Sequence, residues 1–131
     1  MWSHRPLYCS DLMTWESRCV NEAAQYRGNI EKLMVAAKVD LHISGHNHQY
    51  ERSWPVQGCS KGYSTGCVVT KSYHNAPAPV HIVNGAAGDV EGTDPSWVAD
   101  EKKVPFRAQN DEGLHTGTGR VVVNRTALDW T

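Results

Sequence analysis

Apolar residues along the 131-residue chain fall in short runs, each closed by glycine, proline or charge. Ile30, Leu33, Met34 and Ala37 recur at helical spacing, with Glu31, Lys32 and Lys38 largely on the other side. That pattern predicts an amphipathic helix over Glu16–Lys38. Gly28 weakens its middle and marks an expected break after a looser first turn. Val39–Ser44, VDLHIS, is a short apolar-rich run ended by Gly45, and Pro79–Gly88, PVHIVNGAAG, is a second one ending in small residues. A helix followed by a short buried strand implies an α/β layer architecture. From Gly92 to Gly113 charges mix with Pro95 and Pro105 without a period, so this stretch reads as loop. The closing TGRVVVNRTALDWT reads as two strands around an Asn-Arg turn, an antiparallel hairpin.

Composition narrows the function classes. Thirteen Lys and Arg nearly balance fourteen Asp and Glu, so no basic field favours nucleic acid. No apolar stretch approaches membrane-spanning length, so no membrane partner is expected. The opening MWSHRPLYCS lacks the charged start and apolar centre of a signal peptide. His4 stands close to the start with no strand before it, so the chain reads as a piece of a longer one.

Four cysteines form two close pairs in sequence, Cys9 with Cys19 and Cys59 with Cys67. In a secreted chain they suggest local disulfides, and in a cytosolic one thiols or a metal site. The CxxC spacing of a zinc knuckle is missing from both pairs. Four cysteines allow three pairings, and the sequence alone does not choose. CSKGYSTGC is a Gly/Ser-rich loop whose closure would restrict the unfolded chain by roughly 2–3 kcal/mol. An N-glycosylation sequon at Asn124, NRT, agrees with a secretory location.

The chemistry concentrates in SGHNHQYERSWP, Ser44–Pro55. On a strand, positions i and i+2 share a face. His46 and His48 would then aim both rings at one ion or at two bridged ions. Asn47 would point away and hold the turn. The carboxyl edge of an α/β sheet is also where ligand sites gather. The competing reading is an ordinary pair of partly buried imidazoles. His42 and His81 read as packed, hydrogen-bonded side chains, and His74 and His115 as solvated. Glu51 and Arg52 read as an ion pair fixing the loop. Trp54 and Trp97 read as packing residues.

GHNHQYERSWPV, together with SHRPLYCS near the start, resembles the purple acid phosphatases of the binuclear metallophosphoesterase superfamily. The closing PVHIVNGAAG and GRVVVNRTALDW segments follow in the same order as in that family. The resemblance implies the C-terminal part of a four-layer α/β/β/α sandwich, with residues 1–56 from the catalytic domain and 57–131 a disulfide loop and C-terminal segment. It implies a binuclear centre of Fe(III) with Zn, Mn or Fe(II). His4 and His46 would bind the divalent ion and His48 the ferric one. Neutral imidazole suits all of these metals. Small phosphate esters would be the substrates.

The chain also departs from the family pattern. Met1 stands where the family has valine, three before His4. The Asp-x-Gly, Gly-Asp-x-x-Tyr and Gly-Asn-His-Glu motifs have no match in this sequence, so the catalytic histidine is expected upstream. The colour-giving tyrosine belongs to those motifs too, so Tyr50 does not fill its role. Plant members add histidines between the last two motifs, whereas this chain has only His42 there, so no leaving-group acid is assigned. Two functions follow as expectations: a secreted acid phosphatase acting within a longer chain, or an inactive, disulfide-stapled module from a truncated phosphatase.

Overall fold

A computed structural model describes residues 1–12, 19–60, 66–88, 90–93, 96–111 and 115–131, with the Val20 side chain excepted. A mixed five-stranded sheet gathers strands from across the chain. These are β1 (Trp2–Ser3), β2 (Leu41–Ser44), β3 (Tyr50–Ser53), β6 (Val80–Asn84) and β7 (Arg107–Asn110), in the order β1-β2-β6-β3-β7. β1, β2 and β6 run parallel, and β3 is antiparallel to both its neighbours. β4 (Val56–Gln57) and β5 (Val68–Val69) pair as a small ribbon, and β8 (Val121–Val123) and β9 (Leu128–Trp130) form the expected hairpin. β6 lies between β2 and β3, so residues on both sides of position 56 contribute strands to this sheet.

The helix α1 spans Cys19–Ala36, and the expected start at Glu16 lies outside the described residues. Its inner stripe is Cys19, Ala23, Arg27, Ile30 and Met34, spaced by four, four, three and four. Leu33, expected inside, is 69% exposed. The break expected at Gly28 does not occur. Gly28 faces solvent with nothing near its Cβ position, so the helix loses only propensity there. Lys38 ends the helix in the left-handed region, φ 52°. Val39 N–H donates to Met34 O at 3.0 Å and Lys38 N–H to Val35 O at 3.1 Å. These two bonds make a Schellman cap. Val39 is used in the cap, so β2 starts two residues later than the apolar run suggests.

The main core joins Leu7, Tyr8, Met34, Val56, Cys59, Val98, Val104 and Phe106, and a smaller cluster holds Cys9, Cys19, Ala23 and Val83. Residues 6–11 are buried although they form no regular element beyond one bridge, Asp11 with Trp97. Buried irregular backbone needs explicit partners, and side chains supply them. Arg27 Nη1 donates to Leu7 O at 2.8 Å, while Glu51 accepts from Ser10 N at 2.7 Å.

Two expectations change here. The stretch read as loop contains a 3-10 turn at Glu101–Lys103 and strand β7. Arg107–Asn110 is a polar edge strand with no fully buried position, so no apolar alternation announces it. Tyr50–Ser53, missing from the expected strands, buries Glu51 and Ser53 on its inner face.

Candidate metal centre at the carboxyl edge of the sheet

Parallel pairing brings His4 and His46 together. Ser3 lies opposite Ser44, so both chains leave the sheet at the same edge, and Gly45 N–H donates to His4 O at 3.1 Å. The link from β2 to β3 must then cross the end of β6, which separates them. Residues 45–49 make that crossing, with Gly85 directly beneath. A Cβ at Gly85 would overlap the carbonyl of Asn47, so only glycine permits the approach. Gly85 N–H in turn donates to Gln49 O at 3.1 Å.

His46 adopts φ 66°. A left-handed non-glycine residue costs roughly 1–3 kcal/mol and persists only where its surroundings hold it. Asn47 provides that hold: it is fully buried and donates through Nδ2 to Asp11 Oδ2.

This backbone corrects the shared-face expectation. His46 and His48 lie beyond the strand, in the crossing loop, and their rings meet different neighbours. The His46 ring lies edge-on to His4, with centroids 5.0 Å apart and planes at 68°. Its Nε2 is 3.0 Å from Arg5 Nη1 and 3.9 Å from Glu22 Oε2, and Arg5 is paired with Glu22. The Nδ1 of His48 faces Gly92 O at 3.2 Å and Glu91 Oε2 at 3.7 Å. Imidazole and carboxylate are donor types that suit a divalent first-row ion. Here, however, the His46 Nε2 faces Arg5, and the donor atoms of His4, His46 and Glu22 are not gathered within one ion's reach. His48 offers a third imidazole from the same loop. Cys9, Asp11 and Cys19 also cluster, but the two sulfurs are joined to each other and do not serve as ligands.

The ion pair expected of Glu51 and Arg52 is replaced by two separate networks, because adjacent strand positions face opposite ways. Glu51, fully buried, accepts from Ser10 N and Ser10 Oγ, both at 2.7 Å. Arg107 Nη1 donates to the same Ser10 Oγ at 3.1 Å. Burial pushes the Glu51 carboxyl up to about 7, against the Ser10 hydrogen bonds, and the nearby Asp11 adds to the rise. Arg52 instead donates to Gln109 Oε1 at 3.1 Å and lies over the Tyr73 ring. Glu51 does brace the loop, then, but through residues 10–11 rather than through Arg52.

His42 and His81 are buried and hydrogen-bonded to each other, as expected. His74 and His115 are exposed, and His115 also contacts Asp111. Trp54 stacks on Tyr73, and Trp97 Nε1–H donates to Asp111 O at 3.0 Å. Disulfides join Cys9 to Cys19 and Cys59 to Cys67. Asn124 Oδ1 accepts from the N–H groups of Thr126 and Ala127 and from Thr126 Oγ1, at 2.8, 2.9 and 3.0 Å, an exposed Asx turn. Sequence reading missed Arg5, Glu22, Ser10, Asp11 and Gly85. The glycine after an apolar run was the one available signal, because the others act through contacts remote in sequence.

The family model described as iron/zinc purple acid phosphatase-like protein C matches residues 78–131. An acid phosphatase from Aspergillus ficuum is 33% identical over 132 residues, covering 98% of this chain and 20% of the relative. The chain belongs to the purple acid phosphatase family. Acid phosphatase type 7 of Homo sapiens is 33% identical over 97 residues, 70% of this chain and 22% of that protein. A protein of Arabidopsis thaliana called probable inactive purple acid phosphatase 1 is 40% identical over 78 residues, 54% of the chain and 12% of its own length. The chain thus spans about a fifth of the length of the first two relatives.

Proposed function

We propose that this chain supplies one corner of a binuclear metal centre that hydrolyses phosphomonoesters at acidic pH within a longer protein. The observation that carries this reading is the meeting of His4 and His46 at the carboxyl edge, 5.0 Å apart. His4 and His46 would hold the divalent ion (Zn, Mn or Fe(II)) and His48 the Fe(III). When bound, such a centre holds phosphate oxygens, lowers the pKa of a bound water and stabilises in-line displacement.

The chain's own groups orient the ligands. Asn47 and Asp11 fix the crossing loop, Gly85 lets it lie close to the sheet, and Glu51 secures the segment that bears Asp11. Residues 1–56 carry the ligand motifs, and 57–131 carry the disulfide loop and the C-terminal segment. The sheet and α1 would form part of the four-layer sandwich. Two disulfides and an exposed Asx-turn sequon at Asn124 support a secreted or lysosome-like location and glycosylation there.

A second reading, an inactive structural module, draws on the relative named probable inactive. The two separate on metal content and on hydrolysis of an aryl phosphate, measured in the longer protein. The enzyme reading expects His48→Ala to lose the iron and its visible absorption, and His46→Ala to lose mainly the divalent ion, both with turnover abolished. Wild-type metal content in both variants would overturn the ligand assignment. The 131-residue chain alone, with three histidines and no bridging carboxylate motif, is expected to show no turnover with added iron and zinc. Chelator-sensitive hydrolysis by the pure chain would refute that.

A further inference from the structure

Behind the edge pair lies a buried run of hydrogen bonds whose direction can be deduced. Ser3 Oγ is 2.7 Å from Arg5 O and 2.8 Å from His42 Nε2. A carbonyl only accepts, so the single hydroxyl proton of Ser3 goes to Arg5 O. Ser3 Oγ then accepts from His42, which puts the His42 proton on Nε2. His42 Nδ1 is therefore a lone pair, and it lies 3.2 Å from His81 Nδ1. His81 must donate there, so its proton sits on Nδ1. Its Nε2 is left as an unprotonated lone pair, which agrees with that atom being buried without a hydrogen-bond partner. The ring pair is fixed from outside as well. Tyr8 packs on the His81 ring with centroids 4.5 Å apart, and the backbone N–H of His81 donates to Ser53 Oγ at 2.8 Å.

We infer that His81, His42 and Ser3 form a one-way hydrogen-bonded chain that positions His4. The last bond, Ser3 to Arg5 O, closes the turn that contains His4 and ties that turn to β2 and β6 in the sheet interior. These three are positioning residues, since their side chains reach the proposed ion only through His4. The inference rests on the metal-centre reading above. A hydrogen-bonded partner behind a ligand holds its orientation, and loss of such a partner typically lowers metal affinity 10–100-fold.

The test uses the longer protein that contains this chain, labelled with nitrogen-15 in its histidines and titrated with Zn²⁺ by NMR. In the wild type, His42 should show the Nε2–H tautomer and His81 the Nδ1–H tautomer. The ring signals of His4 and His46 should move together on adding Zn²⁺. Ser3→Ala should weaken that response about tenfold. Ser3→Thr, which keeps the hydroxyl, should retain wild-type affinity. His42→Gln, whose amide presents one donor and one acceptor, should recover most of what His42→Leu loses.

A proton on His81 Nε2 in the wild type would overturn the chain's direction without any variant having to fold. Wild-type Zn²⁺ affinity in folded Ser3→Ala, with His4 and His46 still responding, would overturn the positioning role alone. Zn²⁺ that moves neither ring in the wild type would overturn the metal reading and this inference with it.

Discussion

Two histidine pairs occupy neighbouring levels of the sheet with almost the same ring geometry. His4 and His46 meet at 5.0 Å and 68°, and His42 and His81 at 5.2 Å and 67°. What separates them is burial and company. His42 and His81 are 0% and 3% exposed and lie on β2 and β6. The edge pair sits just past the strand ends, half-buried or more exposed, beside an arginine and a glutamate. Ring geometry therefore does not distinguish the proposed ligand pair from the structural one. The distinction lies in access and in whether a lone pair faces groups that an ion could replace.

The harshest way to break the comparison is at Gly85. Gly85→Val would drive a branched side chain into the Asn47 carbonyl, where backbone must shift. We expect a loss of about 4 kcal/mol or more. The damage should be local to the crossing loop. His42 and His81, held by strand pairing between β2 and β6, should keep their tautomers while His46 loses its position beside His4. Denaturant unfolding gives the first quantity and histidine NMR the second. A Gly85→Val chain with wild-type stability would mean that the loop does not lie on β6 as described.

Much of the contrast was legible from sequence, and the failures have physical causes. The helix followed from its period, two sheet strands from short apolar runs ended by glycine and small residues, and the hairpin from two apolar runs around Asn-Arg. The buried roles of His42 and His81 followed from their apolar runs. The crossing loop was misread as strand because i, i+2 spacing assumes extended backbone, whereas His46 is left-handed. The Glu51 network was invisible because Ser10 and Arg107 are distant in sequence, and β7 hid because an edge strand with polar residues carries no period.

Acid should sharpen the difference next. Burial lowers His42 to about 4. Burial likewise holds His81 well below 6.5, with His42 and Arg27 adding to the drop. Below pH 6.5 the unfolded chain takes up protons that the folded histidines refuse, so stability falls as pH drops from about 6.5 towards 4. For His42 alone that loss approaches roughly 3 kcal/mol. Glu51 opposes it. With its carboxyl raised to about 7 from 4.5, the folded state binds the proton first, and stability rises as pH falls from 7 to 4.5. Two histidines against one glutamate leave a net loss on acidification. Glu51→Gln should remove the opposing gain and steepen the decline, and His42→Gln should flatten it. Equal slopes for wild type and both variants between pH 7 and 4.5 would contradict the assignment of these groups.

The smallest stability effect is the most telling, because stability and binding should move in opposite directions. His46 holds a left-handed backbone that glycine adopts without steric cost. Its ring contacts include the His4 ring as well as Arg5 and Glu22, and the last two pair with each other independently of it. His46→Gly should therefore raise stability by about 1 kcal/mol while ending the response of His4 to Zn²⁺. A residue kept for packing would show the reverse, as His42→Gly should: a cavity and a buried His81 Nδ1–H without its acceptor, with a loss of several kcal/mol. Exposed His74 gives the baseline, where His74→Ala should stay within about 0.5 kcal/mol. Thermal melts of the three variants, run with and without Zn²⁺, separate these outcomes. If His46→Gly melts lower than His74→Ala, the strained loop is held for stability, and His46 belongs with the buried pair rather than with the edge.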